Sequence, residues 1–427
     1  MKLLLLGFNT RSLAESAAAA GYSFISLDWF GDLDHGLLGP VFSLRRLQSG
    51  LPGEGRPTME RMVEWGIILA RREQCDSLVY ASGLENRPEL VAKLVSESGC
   101  RLYGNPPPVL QQVRNPVALS QNLRQAGFHA PETRRPEGAQ FGRGRRWLIK
   151  PVKSGGGRRV APASQDESAR EGSICQEYIS GKPCSFTFVA DGSHCLVLGI
   201  TEQLIAAKSS TGREFGYAGN LFPLTTGETR KLYETAVGIA GWLTAKYGLR
   251  GLNGVDFILR GKDCWVIEVN PRYSASMELL ERAYGFPVIR LHLLACSGDW
   301  QEVKSIVERL PVELTLSQPE CIWGKKVIYT RMPKLVRPTY CGEKKEEHEQ
   351  TWARRMHARG LRDLPFPGEI IRARNPVATA TASGATRADC LKTLERLSLL
   401  MRSQLSPPPA PARKPQPPPV VDQNRKF

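Results

Sequence analysis

No run of apolar residues in the 427-residue chain approaches the ~20 that a membrane-spanning helix requires. The nearest thing to a leader is Leu3–Leu6, which ends at Asn9-Thr10-Arg11 without a small-residue cleavage site. A strand is expected there instead. The ten cysteines include no CxxC pair and no Cys/His group at metal spacing. That excludes a zinc module and a disulfide scaffold, and makes reduced cytoplasmic thiols the expectation. After the first apolar run stands Gly7-Phe8-Asn9-Thr10-Arg11-Ser12 rather than GxGxxG, which argues against a bound dinucleotide. No internal repeat is present.

The chain does have a globular composition, 41% hydrophobic and 23% charged. Its net charge of +16 is unevenly spread. Residues 1–105 carry 11 basic and 12 acidic side chains, whereas residues 106–170 carry 12 and 4. Such a basic segment fits a polyphosphate pocket or a nucleic acid. Only Phe128, Phe141 and Trp147 interleave with its charges, and no nucleic-acid motif is present, so nucleic acid is the weaker reading.

The first hundred residues alternate apolar runs with helical segments. Strands are predicted at Leu3–Leu6, Tyr22–Leu27, Leu78–Tyr80 and Arg101–Tyr103, with helices at Leu13–Ala20, Met59–Arg72 and Glu89–Ser96. This βαβ rhythm implies a parallel sheet with ligands at the strand ends. Pro106-Pro107-Pro108 marks a boundary, and strands are predicted between Ile174 and Leu204. A helix over Glu228–Lys246 places Leu232, Ala236, Ile239, Leu243 and Tyr247 on one face. From Ser406 the chain turns proline-rich, and a disordered tail is expected over 406–427.

The segment Gly254–Asn270 reads as a hairpin turning at Gly261-Lys262-Asp263. A three-residue loop pairs Arg260 with Cys264, and counting outward sets Asp256 opposite Glu268. Asn270 shares their face, and Val255, Phe257, Ile267 and Val269 fill the other. Two acids and an amide converging from a buried hairpin suit a hard cation, Mg²⁺ or Mn²⁺. Earlier, Lys150-Pro151-Val152-Lys153-Ser154-Gly155-Gly156-Gly157-Arg158-Arg159 follows a strand. Its glycines let backbone N–H groups approach phosphate oxygens, and its cations add charge, though it is not a Walker A loop.

In this order, Lys150 with its glycine loop, Gln176-Glu177-Tyr178-Ile179-Ser180-Gly181, Asp256 and Glu268-Val269-Asn270-Pro271-Arg272 resemble the ATP-grasp superfamily. The resemblance implies an α/β and α+β fold in four parts. These are a Rossmann-like pre-ATP-grasp domain (1–105), a two-subdomain ATP-grasp domain (106–320), a small carboxylase-like C-terminal lobe (321–405) and the tail. It also implies that Lys150, Lys153, Ser154, Gly155, Gly156 and Gly157 contact ATP phosphates. Glu177, Tyr178 and Ile179 would form the adenine hinge, Asp256, Glu268 and Asn270 would hold Mg²⁺, and Arg272 would stabilise the transferring phosphoryl group.

The sequence also departs from the family. Cys184 stands where many members carry a ribose-binding Glu, and Arg114 stands near a position where many carry Lys. After Arg272 come Tyr273-Ser274-Ala275-Ser276 in place of the acid that serves bicarbonate in biotin-carboxylase-like enzymes. The leading expectation is therefore an ATP-dependent carboxylate–amine ligase on small molecules, of the kind that builds amide bonds in cofactor biosynthesis. A carboxyphosphate-forming enzyme and a non-catalytic basic nucleic-acid-binding protein are the alternatives, and a homodimer is left open. Substrate contacts are expected from Arg11, Ser82, Glu85 and Asn86 at the first domain's strand ends, and from Ser274 and Ser276.

Overall fold

The computed structural model describes residues 1–48, 57–136, 145–163, 172–312, 319–337 and 344–409. It opens with a parallel five-stranded sheet in the order Val41–Ser43, Ser23–Asp28, Lys2–Gly7, Ser77–Tyr80, Arg101–Leu102. Leu3, Leu4, Leu5 and Leu6 are all fully buried because both faces of the central strand are covered. Leu4 and Leu6 pack with Met62, Val63 and Leu94 of the helices Met59–Arg72 and Pro88–Ser98. Leu3 and Leu5 pack with Leu13 and with the later helices Met277–Tyr284 and Ile289–Ser297. Connections run to opposite sides of the central strand, so a crevice opens where Phe8 N donates to Ser82 O at 2.9 Å. The strand Val41–Ser43 is only three residues long, too short for alternation to reveal it.

A small antiparallel sheet follows, ordered Thr133–Arg134, Ser173–Glu177, Trp147–Pro151, Ala161–Pro162. Its buried apolar core is Trp147, Ile149 and Cys175. With so little apolar burial, this unit opens at low free-energy cost compared with its neighbours.

The main sheet has eight strands, ordered Asp263–Asn270, Arg250–Arg260, Lys182–Asp191, Cys195–Ile205, Tyr217–Phe222, Ile322–Tyr329, Pro376–Gly384, Leu361–Arg362. The helix Thr229–Tyr247 buries the predicted stripe against Phe186, Phe188 and Phe257. The expected boundary at 320 falls inside this sheet, because Ile322–Tyr329 pairs with Tyr217–Phe222 on one side and Pro376–Gly384 on the other. The expected break at 406 also shifts, since Leu405–Ser406 pairs with Lys334–Val336 and Leu405 is buried. The remainder of the proline-rich segment, 410–427, lies outside the described residues. No described helix is long and apolar enough to cross a membrane.

Candidate functional site

The strands Arg250–Arg260 and Asp263–Asn270 do bring Asp256 opposite Glu268, but not by the predicted route. The turn holds two residues, so Arg260 pairs with Asp263. A bulge on the second strand then takes up the extra residue, pairing Phe257 with Val266 and Asp256 with Glu268. One consequence corrects the face assignment. Val266 joins Val255, Phe257 and Val269 in the core, while Ile267 turns away to line a narrow cavity of about 50 Å³ with Lys150, Gln176 and Glu268.

The two carboxyls do not ionise alike. Burial and the neighbouring Glu268 push Asp256 up to about 7. Glu268 is also desolvated, yet Arg114, Lys150 and Arg272 hold it below the usual carboxylate range. Asp256 accepts from Gln203 Nε2 at 2.9 Å and from Asn270 Nδ2 at 3.1 Å. Gln203 has no sequence signal beyond its place on a strand adjoining the hairpin's neighbour. Two carboxyls and an amide oxygen form the donor set a hard divalent cation takes, so these residues fit Mg²⁺. Among the described residues no group of three His, Cys, Asp or Glu side chains forms a metal site, so a cation here takes its remaining ligands from substrate or water.

Three cations face this pair from three directions. Lys150, on Trp147–Pro151, donates to Gln176 Oε1 at 2.9 Å, and burial lowers its pKa against the pull of Glu268 and Asp256. Arg114 donates to Val269 O at 2.8 Å and sits 3.8 Å from Glu268. Arg272 contacts Asn270 Oδ1 at 3.3 Å and Tyr273 O at 3.1 Å.

The glycine loop is seated against the main sheet. A Cβ on Gly157 would lie 1.7 Å from Phe215 O, and its φ of +71° already favours glycine. Tyr217 N donates to Gly156 O at 3.4 Å, and Ser154 Oγ donates to Pro151 O at 3.3 Å. Lys153 is exposed, 3.8 Å from Glu89. At the expected hinge, Glu177 N and Tyr178 N donate to Glu132 O and Arg146 O, so those two amides are already engaged within the small sheet. Arg146 lies over the Tyr178 ring at 4.5 Å, and Ile179 is buried. Cys184 is wholly buried in the core, its thiol pushed up to about 12 by burial. That position therefore faces away from the cleft.

The first domain meets this site in an unexpected way. Glu85 is 3% exposed and lies 2.9 Å from Arg272, while Asn86 Oδ1 accepts from Arg114 at 2.7 and 3.1 Å. Ser82 stays half-buried at its strand end. A cleft of about 690 Å³ opens beside them, lined by Glu85, Asn86, Arg114, Arg135, Lys153 and Ile174 among others. Ser274 and Ser276 share a hydroxyl contact of 3.1 Å, and Ser274 Oγ approaches Gly254.

Arg11 is a correction. It is 1% exposed, with all three guanidinium nitrogens on carboxylates: Glu278 at 3.0 Å, Glu15 at 3.0 Å and Asp363 at 2.9 Å. A guanidinium so enclosed is an internal strut rather than a free substrate contact. Glu278 is also held by Lys325 at 2.7 Å and Arg282 at 2.9 Å, and these cations keep it ionised well below the usual range despite its burial.

Residues 113–276 match the family model of the ATP-grasp domain, so the chain contains an ATP-grasp domain. Among sequence relatives, an uncharacterised protein of Methanocaldococcus jannaschii is 24% identical over 298 residues, 66% of this chain and 70% of the relative. The carbamoyl phosphate synthase large chain of Rubrobacter xylanophilus is 25% identical over 263 residues, which span 57% of this chain but 24% of the relative. Among solved structures, the L-amino acid ligase of Bacillus licheniformis superposes with a TM-score of 0.59 at 14% identity, covering 95% of this chain and 97% of that one. The biotin carboxylase domain of Hydrogenobacter thermophilus 2-oxoglutarate carboxylase, in complex with MgADP and bicarbonate, gives 0.62 at 14%, covering 90% and 86%. At these identities the likenesses establish the fold, which both ligases and carboxylases use.

Proposed function

We propose that the protein is an ATP- and Mg²⁺-dependent carboxylate–amine ligase acting on small molecules. The observation that carries the reading is the convergence of Asp256, Glu268 and Asn270 with Lys150, Arg114 and Arg272. Phosphoryl transfer calls for positioning and charge neutralisation more than covalent help from the protein, and this set supplies both. Mg²⁺, when bound by Asp256, Glu268 and Asn270, would screen the phosphate charge and fix the γ-phosphoryl group in line. Arg114 and Lys150 would orient the phosphates, and the glycine loop 155–157 would close over them and exclude water. Arg272 would neutralise charge on the phosphoryl group as it passes to a substrate carboxylate oxygen, releasing ADP. An amine then attacks the acyl carbon, forming the C–N bond as phosphate leaves and the amine gives up a proton.

Against a bicarbonate-activating enzyme stands the segment after Arg272. Its Ser274 and Ser276 bond each other, and the next acid, Glu278, is held by three cations, so no base is free there. A nucleic-acid role finds little support in the inward-facing cations Arg114, Lys150 and Arg272. The volume of the cleft beside Arg114 is that of an ordinary small-molecule site. ADP release screened against a panel of carboxylates and amines tests the proposal. Turnover that needs both a carboxylate and an amine supports it, and turnover driven by bicarbonate alone removes it.

A further inference from the structure

At the carboxyl ends of the first two strands, and against the C-terminal lobe, lies a group of acids that the phosphoryl-transfer site does not use. Asp28 accepts from Thr10 N at 2.6 Å, Thr10 Oγ1 at 3.0 Å, and Phe30 N and Gly31 N at 2.8 Å. Asp34 accepts from Asp363 N at 3.1 Å and Leu364 N at 2.7 Å. Asp363, held at a φ of +54°, accepts from Asn9 at 3.1 Å and Arg11 at 2.9 Å. Asp32 differs from these three. It keeps partial solvent access, its carboxyl has no hydrogen-bond or ion-pair partner among the described residues, and its pKa is raised by burial and by the charges of Asp363, Asp28, Asp34 and Glu369. Arg46, outside the Arg11 network, lies over the Phe366 ring at 3.3 Å and feels Glu369 and Glu349 more strongly than Asp32.

A second observation points to a missing partner. The His35 ring is 0% exposed, both its nitrogens lack a hydrogen-bond partner, and its Nδ1 points at Asp28 from 3.8 Å. Buried polar groups left without partners are uncommon and costly. The group also borders the phosphoryl-transfer site. Gln203, which donates to Asp256, pairs across the main sheet with Asn220, and Asn220 with Lys325; Lys325 lies 2.7 Å from Glu278, which Arg11 joins to Asp363.

Building on the ligase reading, we propose that Asp28, Asp32, Asp34 and Asp363 hold an ammonium group of the amine substrate, remote from its reacting nitrogen. An ammonium donates to several carboxylates at the ~2.8–3 Å spacing of hydrogen bonds and needs no closed ligand shell. The reacting nitrogen must lose its proton, and a carboxylate cage would hold that proton on. The substrate class is therefore a diamine, or an amine with a second cationic centre.

The test is titration calorimetry on the full chain with 1,5-diaminopentane, pentylamine and methylammonium, in wild type, Asp32→Asn and Asp34→Asn. The diamine is expected to bind wild type and to bind Asp32→Asn at least tenfold more weakly, with ATP affinity within twofold of wild type. Because Asp32 has no partner to lose, Asp32→Asn should melt no lower than wild type. Asp34→Asn weakens two backbone contacts and should melt lower. Absence of binding by all three amines, equal binding to Asp32→Asn, or displacement by Ca²⁺ alone overturns the subsite. Diamine binding without amine-dependent ADP release leaves the subsite standing and removes the ligase reading, so the two fail separately.

Discussion

The Arg272 guanidinium lies 2.9 Å from the carboxylate of Glu85, joining the hairpin end of the proposed phosphoryl-transfer site to the first domain's strand ends. Glu85 also accepts from Gly83 N, so its carboxylate is fixed from both sides. In the proposed reaction it would position Arg272 rather than contact substrate. Glu85→Gln should lower kcat roughly 10- to 100-fold with KM for either substrate changed only a few-fold. A rise in amine KM with kcat intact would return Glu85 to substrate recognition.

Arg11→Ala should be severely destabilising, because it leaves the buried Glu278 and the half-buried Glu15 and Asp363 each short of a partner. Breaking a buried pair costs about 3–5 kcal/mol. Arg11→Lys should rescue little, since one ammonium cannot meet three carboxylates in the planes a guanidinium offers. Thermal melts decide this. A variant melting near wild type but failing to bind substrate would restore Arg11 as a ligand contact.

How far the sequence could be read depends on the range of each interaction. The parallel sheet, the stripe on Thr229–Tyr247 and the Asp256–Glu268 pairing arise from neighbours in sequence, where alternation and helical period are visible. The pairing itself came out right although the turn is shorter than predicted, because the bulge at Ile267 restores the register. Arg11 meets Glu278 and Asp363 across more than 260 residues, and Glu85 meets Arg272 across 187. No local pattern announces such partners, so polar strand-end residues that looked ready for substrate proved to be engaged with the protein. The continuity of the main sheet past 320 was hidden for the same reason. Strand propensity does not name the partner strand.

His292 gives the stability curve a sign that can be checked. Burial lowers its pKa from 6.5 to about 4, and it joins Leu252 N at 2.9 Å to Tyr103 O at 3.0 Å. Below pH 6.5 the unfolded chain binds the proton first, so this stabilisation is full above 6.5 and declines as pH falls toward 4. The loss amounts to roughly 3 kcal/mol. Subtracting a His292→Gln denaturation series from wild type between pH 7 and 4 should isolate that slope. Parallel curves would contradict it.

Gly157→Ala should lift the phosphate loop from Phe215, since its Cβ would sit 1.7 Å from that carbonyl oxygen at a φ of +71°. The small sheet can swing away, so the fold should persist while ATP affinity falls about tenfold. Nucleotide calorimetry with a parallel melt separates the two effects. Unchanged ATP affinity would detach the loop from the nucleotide.

The central claim is that Asp256 and Glu268 direct ATP's phosphoryl group onto a carboxylate. The most direct measurement is ADP and hydroxamate formed together from MgATP, hydroxylamine and a panel of carboxylic acids. Wild type should yield the two in equal amounts with one class of acid. Asp256→Ala and Glu268→Ala should lose both by roughly 1000-fold or more; metal-free, Asp256→Ala should melt no lower, because burial and Glu268 disfavour its charge, whereas Glu268→Ala should melt lower, because it strands Arg114, Lys150 and Arg272. ADP release from bicarbonate without hydroxamate, or wild-type turnover in either variant, would contradict the account.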